Sequence, residues 1–134
     1  MLILRKTIIP VLITGFWINI SESVRWILLI EPYWIEKYQE LNVTFPNETI
    51  NMIAWMIWGF FYGTTIFILS RKFNLFQTTL ISWFVAFAMM WVVVWNVGVL
   101  PTGMLWINIP LSLIETLIGA LICIKLFKAK DASA

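Results

Sequence analysis

The sequence predicts an all-α membrane protein, a four-transmembrane-helix up-down bundle with a short amphipathic helix in the first outer loop. Two features of the composition favour this class. Hydrophobic residues make up 61% of the 134 residues, and charged residues make up only 12%, whereas about a quarter of a soluble domain is charged. A soluble fold of this size could not hide so much apolar surface. We therefore expect a single integral membrane domain over residues 1–134.

Four apolar segments are long enough to cross a bilayer, which takes roughly 20 residues of helix. The third and fourth come from one uncharged stretch, interrupted at residues 96–104 by two glycines and a proline that predict a tight turn. The predicted spans cover about residues 7–30, 50–70, 75–97 and 104–126.

Residues 32–41 predict the outer amphipathic helix. Pro32 suits a first helical turn, where its missing N–H costs nothing. Trp34, Tyr38 and Leu41 recur at i, i+4 and i+7 and form one apolar side. This pattern suits a helix on the membrane surface, or alternatively a lid across the mouth of the bundle.

The distribution of basic residues predicts the orientation, because Lys and Arg concentrate in cytoplasmic loops. On the other side, Lys37 is the only basic residue, among four glutamates. The side that carries both termini has Arg5, Lys6, Arg71, Lys72, Lys125, Lys128 and Lys130. We expect a multi-pass protein of a cell membrane, the inner membrane of a bacterium, with both termini in the cytoplasm.

Span one carries polar residues where a membrane helix should be apolar. Asn19 and Glu22 are three residues apart and share one helical face, and Arg25 is i+3 from Glu22 on the same flank. At 1.5 Å per residue, Glu22 lies roughly 12 Å below the outer end of its helix.

Span four carries a matching face. Asn108, Ser112 and Glu115 are spaced i, i+4 and i+7, and Glu115 lies roughly 17 Å below the outer end. Asn96 lies near the outer end of span three. An ionised side chain at mid-membrane costs roughly 3 kcal/mol, so such groups usually face the bundle interior and pair. We therefore predict that Glu22, Arg25 and Glu115 meet.

These residues predict a polar pocket in the outer half of the bundle. The candidate ligand-binding residues are Asn19, Glu22, Arg25, Asn96, Asn108, Ser112 and Glu115. Two carboxylates against one guanidinium leave room for one exchangeable proton or cation, so the pocket is expected to bind or transport a small molecule or cation. The structural alternative is that Glu22 and Arg25 neutralise each other and that polar groups hold the helices together.

Other function classes have less support. With no histidine and one cysteine, Cys123, the chain has no His or Cys metal site or Cys–His nucleophile, and we expect no metal or cofactor. The net charge is only +2, and the basic residues are scattered along the sequence rather than clustered, which argues against nucleic-acid binding. An accessory subunit of a larger membrane complex is one alternative. A lipid-acting intramembrane enzyme with Glu115 as acid or base is a weaker one, because no nucleophile is evident.

Aromatic and glycine patterns leave alternatives open. Trp83, Phe87, Trp91 and Trp95 recur every four residues of span three. They predict bundle packing or lipid contact, or else an aromatic wall for an apolar or cationic ligand. The GxxxG motif of Gly59 and Gly63 permits close helix approach. It predicts either packing within the chain or a homo-oligomer in the lipid bilayer.

Overall fold

The computed structural model describes the backbone of residues 2–131 and the side chains of residues 6–126. All regular structure in this part of the chain is helical. The α-helices are α1 (Leu2–Arg25), α2 (Glu31–Glu40), α3 (Thr49–Ser70), α4 (Leu75–Trp83), α5 (Met89–Asn96) and α6 (Leu105–Asp131). The side chains of Arg5, Lys128 and Lys130, which the orientation prediction used, lie outside the described residues.

Four helical segments are long and apolar enough to cross a membrane. They are Lys6–Glu40, Thr49–Ser70, Leu75–Asn96 and Thr102–Leu126. The all-α class and the four long apolar helices are thus confirmed. The transmembrane arrangement itself stays a prediction.

The first segment is longer than the predicted span, because α1 continues into α2 through a π-helical turn at Trp26–Ile30. Within this turn the Glu31 N–H bonds to the Trp26 carbonyl, five residues back. A proline inside a helix loses one i→i−4 bond and crowds the preceding turn, and a π turn relieves that crowding. Pro32 lies in the first turn of α2, as predicted, but helical structure runs from α1 into α2 without a break. Whether α2 lies at a membrane surface stays a prediction.

A second π-helical turn, Phe84–Ala88, joins α4 to α5 within the third segment. It adds a residue to the helical repeat and so rotates the α5 face relative to that of α4. Asn74 caps α4 by accepting from the Gln77 N–H at 3.0 Å. After α5, Gly98 takes a φ of +76°, which glycine adopts without the steric cost of a Cβ. This turn leads to a 3-10 turn, Thr102–Met104, before α6.

Helix α1 packs against α3 and α6, and α4 packs against α6 and α3. Several polar side chains are buried within an apolar core, while many large apolar side chains are exposed. Large apolar side chains such as Phe61, Phe76 and Leu28 are 70% exposed, whereas Thr14, Ser112 and Thr116 are fully buried. Such a distribution would be costly in water and is suited to lipid.

Glycines set the distance between α1 and α3. A Cβ on Gly63 would lie 2.8 Å from the Gly15 nitrogen, so the two backbones touch there. A Cβ on Gly59 would meet the Asn19 side chain. Both glycines of the GxxxG motif therefore face α1 of the same chain, while the homo-oligomer that the motif also suggested stays a prediction.

Candidate functional site

Arg25 joins carboxyl groups from the first and the last helix. Its Nη2 forms an ion pair with Glu22 Oε1 on the same helix, and the same nitrogen lies 3.5 Å from Glu115 Oε2 on α6. Arg25 is 6% exposed and Glu115 is 1% exposed. The predicted meeting of Glu22, Arg25 and Glu115 is therefore present in the structure.

The Glu115 carboxyl group is buried, and apart from its ion pair with Arg25 it has no polar partner among the hydrogen bonds of the described residues. Neither Oε1 nor Oε2 has a hydrogen-bond partner within residues 6–126. The backbone at this position is held in place, because the Trp17 indole donates to the Glu115 carbonyl at 3.0 Å. A buried carboxylate is stable only with compensation of its charge. Since Glu22 engages Arg25 more closely, Glu115 is the less compensated of the two acids.

Beside this cluster lies a cavity of about 40 Å³. Glu22, Arg25 and Asn108 are its polar lining residues, and the remainder of the lining is apolar or aromatic. This volume holds about three water molecules. It is much smaller than the roughly 300–1,000 Å³ of a pocket for a drug-sized ligand.

Aromatic rings form one wall of the cavity. The Arg25 Cζ lies 5.4 Å from the centre of the Phe87 ring, within the range of a cation–π interaction. Phe87 in turn packs edge-on against Trp58 at 5.7 Å and contacts Trp91 at 5.6 Å between ring centres. The same wall would stabilise any other cation that entered the cavity.

Two predicted site residues on α6 face the interior. Asn108 is 7% exposed, lines the cavity, and its Oδ1 has no partner among the described residues. Ser112 is fully buried but already bonded. It accepts from the Trp83 indole at 2.8 Å and donates to the Ile109 carbonyl at 3.1 Å. Ser112 therefore fixes α4 against α6 and has no hydroxyl proton free for a ligand.

Two other predicted residues do not join the cluster. Asn19 turns toward α3, where its amide donates to the Gly15 carbonyl at 2.9 Å and the Met56 carbonyl at 3.3 Å. It holds the two helices together, as the structural alternative for polar residues proposed. Asn96 is the last residue of α5 and is exposed.

The aromatic lining was only partly visible in the sequence. The four-residue spacing in span three signals Phe87 and Trp91, both buried, but also includes Trp95, which is 64% exposed. Trp58 and Met104 line the cavity too. Trp58 shares one side of span two with Trp55 and Tyr62 in the sequence, whereas no pattern singles out Met104. A hydroxyl pair was also missed: the Tyr62 and Thr116 hydroxyls lie 2.6 Å apart between α3 and α6.

Four long apolar helices around buried polar groups are typical of a multi-pass membrane protein. Comparison with known proteins finds no matching family model, no matching curated protein and no matching solved structure.

Proposed function

We propose that this protein binds a small cation at the Glu22–Arg25–Glu115 cluster, in exchange for a proton, within a membrane. The observation that carries the proposal is Glu115, which is 1% exposed and whose carboxyl oxygens accept no hydrogen bond within the described residues. With all three groups ionised, the cluster has one more negative than positive charge. A proton or a cation supplies the missing charge.

The cavity supports a small occupant. Its volume of about 40 Å³ suits water, a proton-carrying water or a compact cation better than a large organic molecule. The Glu22 carboxylate and the Asn108 amide oxygen offer acceptors there. Arg25 also pairs with the carboxylates, so only one negative charge is left unbalanced. An entering cation and a proton would therefore bind in turn to balance that one charge.

The exchange is testable with purified protein in detergent and almost no buffer near neutral pH. Addition of sodium, potassium or methylammonium chloride is expected to release up to about one proton per chain, set by the single unbalanced charge. A Glu115→Gln variant should release none. Glu36→Gln is the control, because Glu36 is exposed on α2 and away from the cluster. If no cation released protons, or if Glu115→Gln matched the unaltered protein, the proposal would be wrong.

We place both termini on the cytoplasmic side of a cell membrane, which puts the cavity in the outer half of the bilayer. The asymmetry of Lys and Arg between the two sides supports this orientation. In a Cys123→Ser background, a cysteine introduced at the exposed Asn47 should react with an impermeant maleimide added to intact cells. Labelling only after cell lysis would contradict this orientation and indicate the opposite one.

A further inference from the structure

Two side chains of the cavity lining carry buried atoms without hydrogen-bond partners among the described residues: the acceptor Oδ1 of Asn108 and the donor Nη1 of Arg25. Glu22 also lines the cavity, with a carboxylate that is 25% exposed. A ligand that donates hydrogen bonds and carries positive charge would satisfy the Asn108 oxygen and share the Glu22 carboxylate with Arg25, because carboxylate and amide oxygens accept. The nearby rings of Trp58, Phe87 and Trp91 favour the same charge.

The size of the cavity restricts which kind of cation can enter it. A primary ammonium group is compact and has three N–H donors, so it suits a volume of about 40 Å³. A quaternary ammonium is bulkier and has no donor. The cation is therefore expected to be a primary ammonium.

An apolar groove lies next to the cavity. It has a volume of about 480 Å³ between α3 and the segment of the second π turn and α5, and its lining is mostly apolar. Trp58 and Met90 line both the cavity and the groove, so the two spaces adjoin at these two side chains. Along α3 the groove extends from Trp58 to Thr65, or roughly 10 Å at the helical rise.

We infer that the site takes an alkylammonium amphiphile: its ammonium group enters the cavity at Glu22 and Asn108, and its chain lies in the groove beyond Trp58 and Met90. The inference rests on the proposed function and specifies the class of cation. A groove of roughly 10 Å accommodates a chain of about eight carbons. The second π turn contributes side chains to both spaces: Phe87 lines the cavity, and Val85 and Ala86 line the groove.

The test measures saturable binding of radiolabelled octylammonium to purified protein in neutral phosphatidylcholine nanodiscs, with empty nanodiscs subtracted. Unlabelled octylammonium should compete at least about tenfold better than methylammonium, which lacks the chain, or octanol, which lacks the charge. Concentrations are expressed per lipid, so that simple partition into the bilayer cancels.

A matched pair of variants tests the groove without touching the cluster. Val93 lines the groove, whereas its neighbour Val92 does not, and the two are similarly exposed at 63% and 65%. Val93→Phe fills the groove and should weaken octylammonium about tenfold while leaving methylammonium unchanged. Val92→Phe should alter neither, and it controls for added bulk on α5.

The outcomes separate this inference from the proposed function. If octanol competed as well as octylammonium, or if Val93→Phe and Val92→Phe behaved alike, the alkylammonium assignment would be overturned. Cation-driven proton release that persists in such a case would leave the proposed function standing. If octylammonium does not bind and no cation releases protons, both fail.

Discussion

Replacement of Gly63 by alanine should force α1 and α3 apart. The added Cβ would lie 2.8 Å from the Gly15 nitrogen and 3.0 Å from its Cα. These are backbone atoms, so no side-chain rotation relieves the contact. Overpacking of this kind costs about 1–3 kcal/mol, and the better helix propensity of alanine returns at most about 1 kcal/mol. We expect a net destabilisation of about 1–2 kcal/mol.

The single cysteine provides the assay. Cys123 is fully buried, with its sulfur 3.0 Å from the Thr14 hydroxyl of α1, so a fluorogenic maleimide should label it only when the helices separate. The labelling midpoint on heating should fall in Gly63→Ala. Gly103→Ala is the control, because its Cβ would lie 3.5 Å from the Tyr33 ring, an ordinary contact. A Gly63→Ala midpoint equal to or above that of the unaltered protein would refute the close backbone contact.

Three other predictions concern buried polar side chains, two of them with a more exposed residue as the control. Arg25→Ala leaves buried carboxylates unpaired and should cost about 3–5 kcal/mol, whereas Lys37→Ala removes an exposed pair and should cost less than about 1 kcal/mol; equal midpoints in the thiol assay would contradict this. Tyr62→Phe should cost about 1 kcal/mol by loss of one buried hydrogen bond, and an unchanged midpoint would argue against that bond. Asn108→Ala should weaken cation-driven proton release, while exposed Asn96→Ala should not; the reverse order would move the site.

The composition and spacing of the sequence were enough to predict the long helices and the central cluster. Glu22 and Arg25 share a flank of one helix, and Glu115 lies at a comparable depth in another. At that depth an isolated charge is costly, so charged side chains usually pair with one another. The pairing seen at Arg25 follows from that energetic argument. The only assumption about neighbouring helices was that the first and last helices of a four-helix bundle are usually adjacent.

The rotation of individual helices was not predictable in the same way. Asn96 was included with the polar cluster only because it lies near the outer end of span three; depth along a helix does not give the direction of a side chain, and Asn96 is exposed at the end of α5. Likewise, Pro32 correctly indicated the first turn of α2, but the sequence did not predict that the π turn at Trp26–Ile30 joins this helix to α1. Hydrophobic periodicity carries little signal for π turns in a uniformly apolar segment.

The central contact joins Arg25 to the carboxyl groups of two different helices, and nuclear magnetic resonance can measure it directly. With Arg5 and Arg71 replaced by lysine, nitrogen-labelled Arg25 is the only arginine. The Nη2–Oε2 distance of 3.5 Å to Glu115, plus a C–O bond of about 1.2 Å, puts the carboxyl carbon within about 5 Å. Solid-state dipolar couplings should therefore report two carboxyl carbons near the guanidinium, one of them lost in Glu115→Gln. Coupling to the Glu22 carboxyl alone would contradict the account.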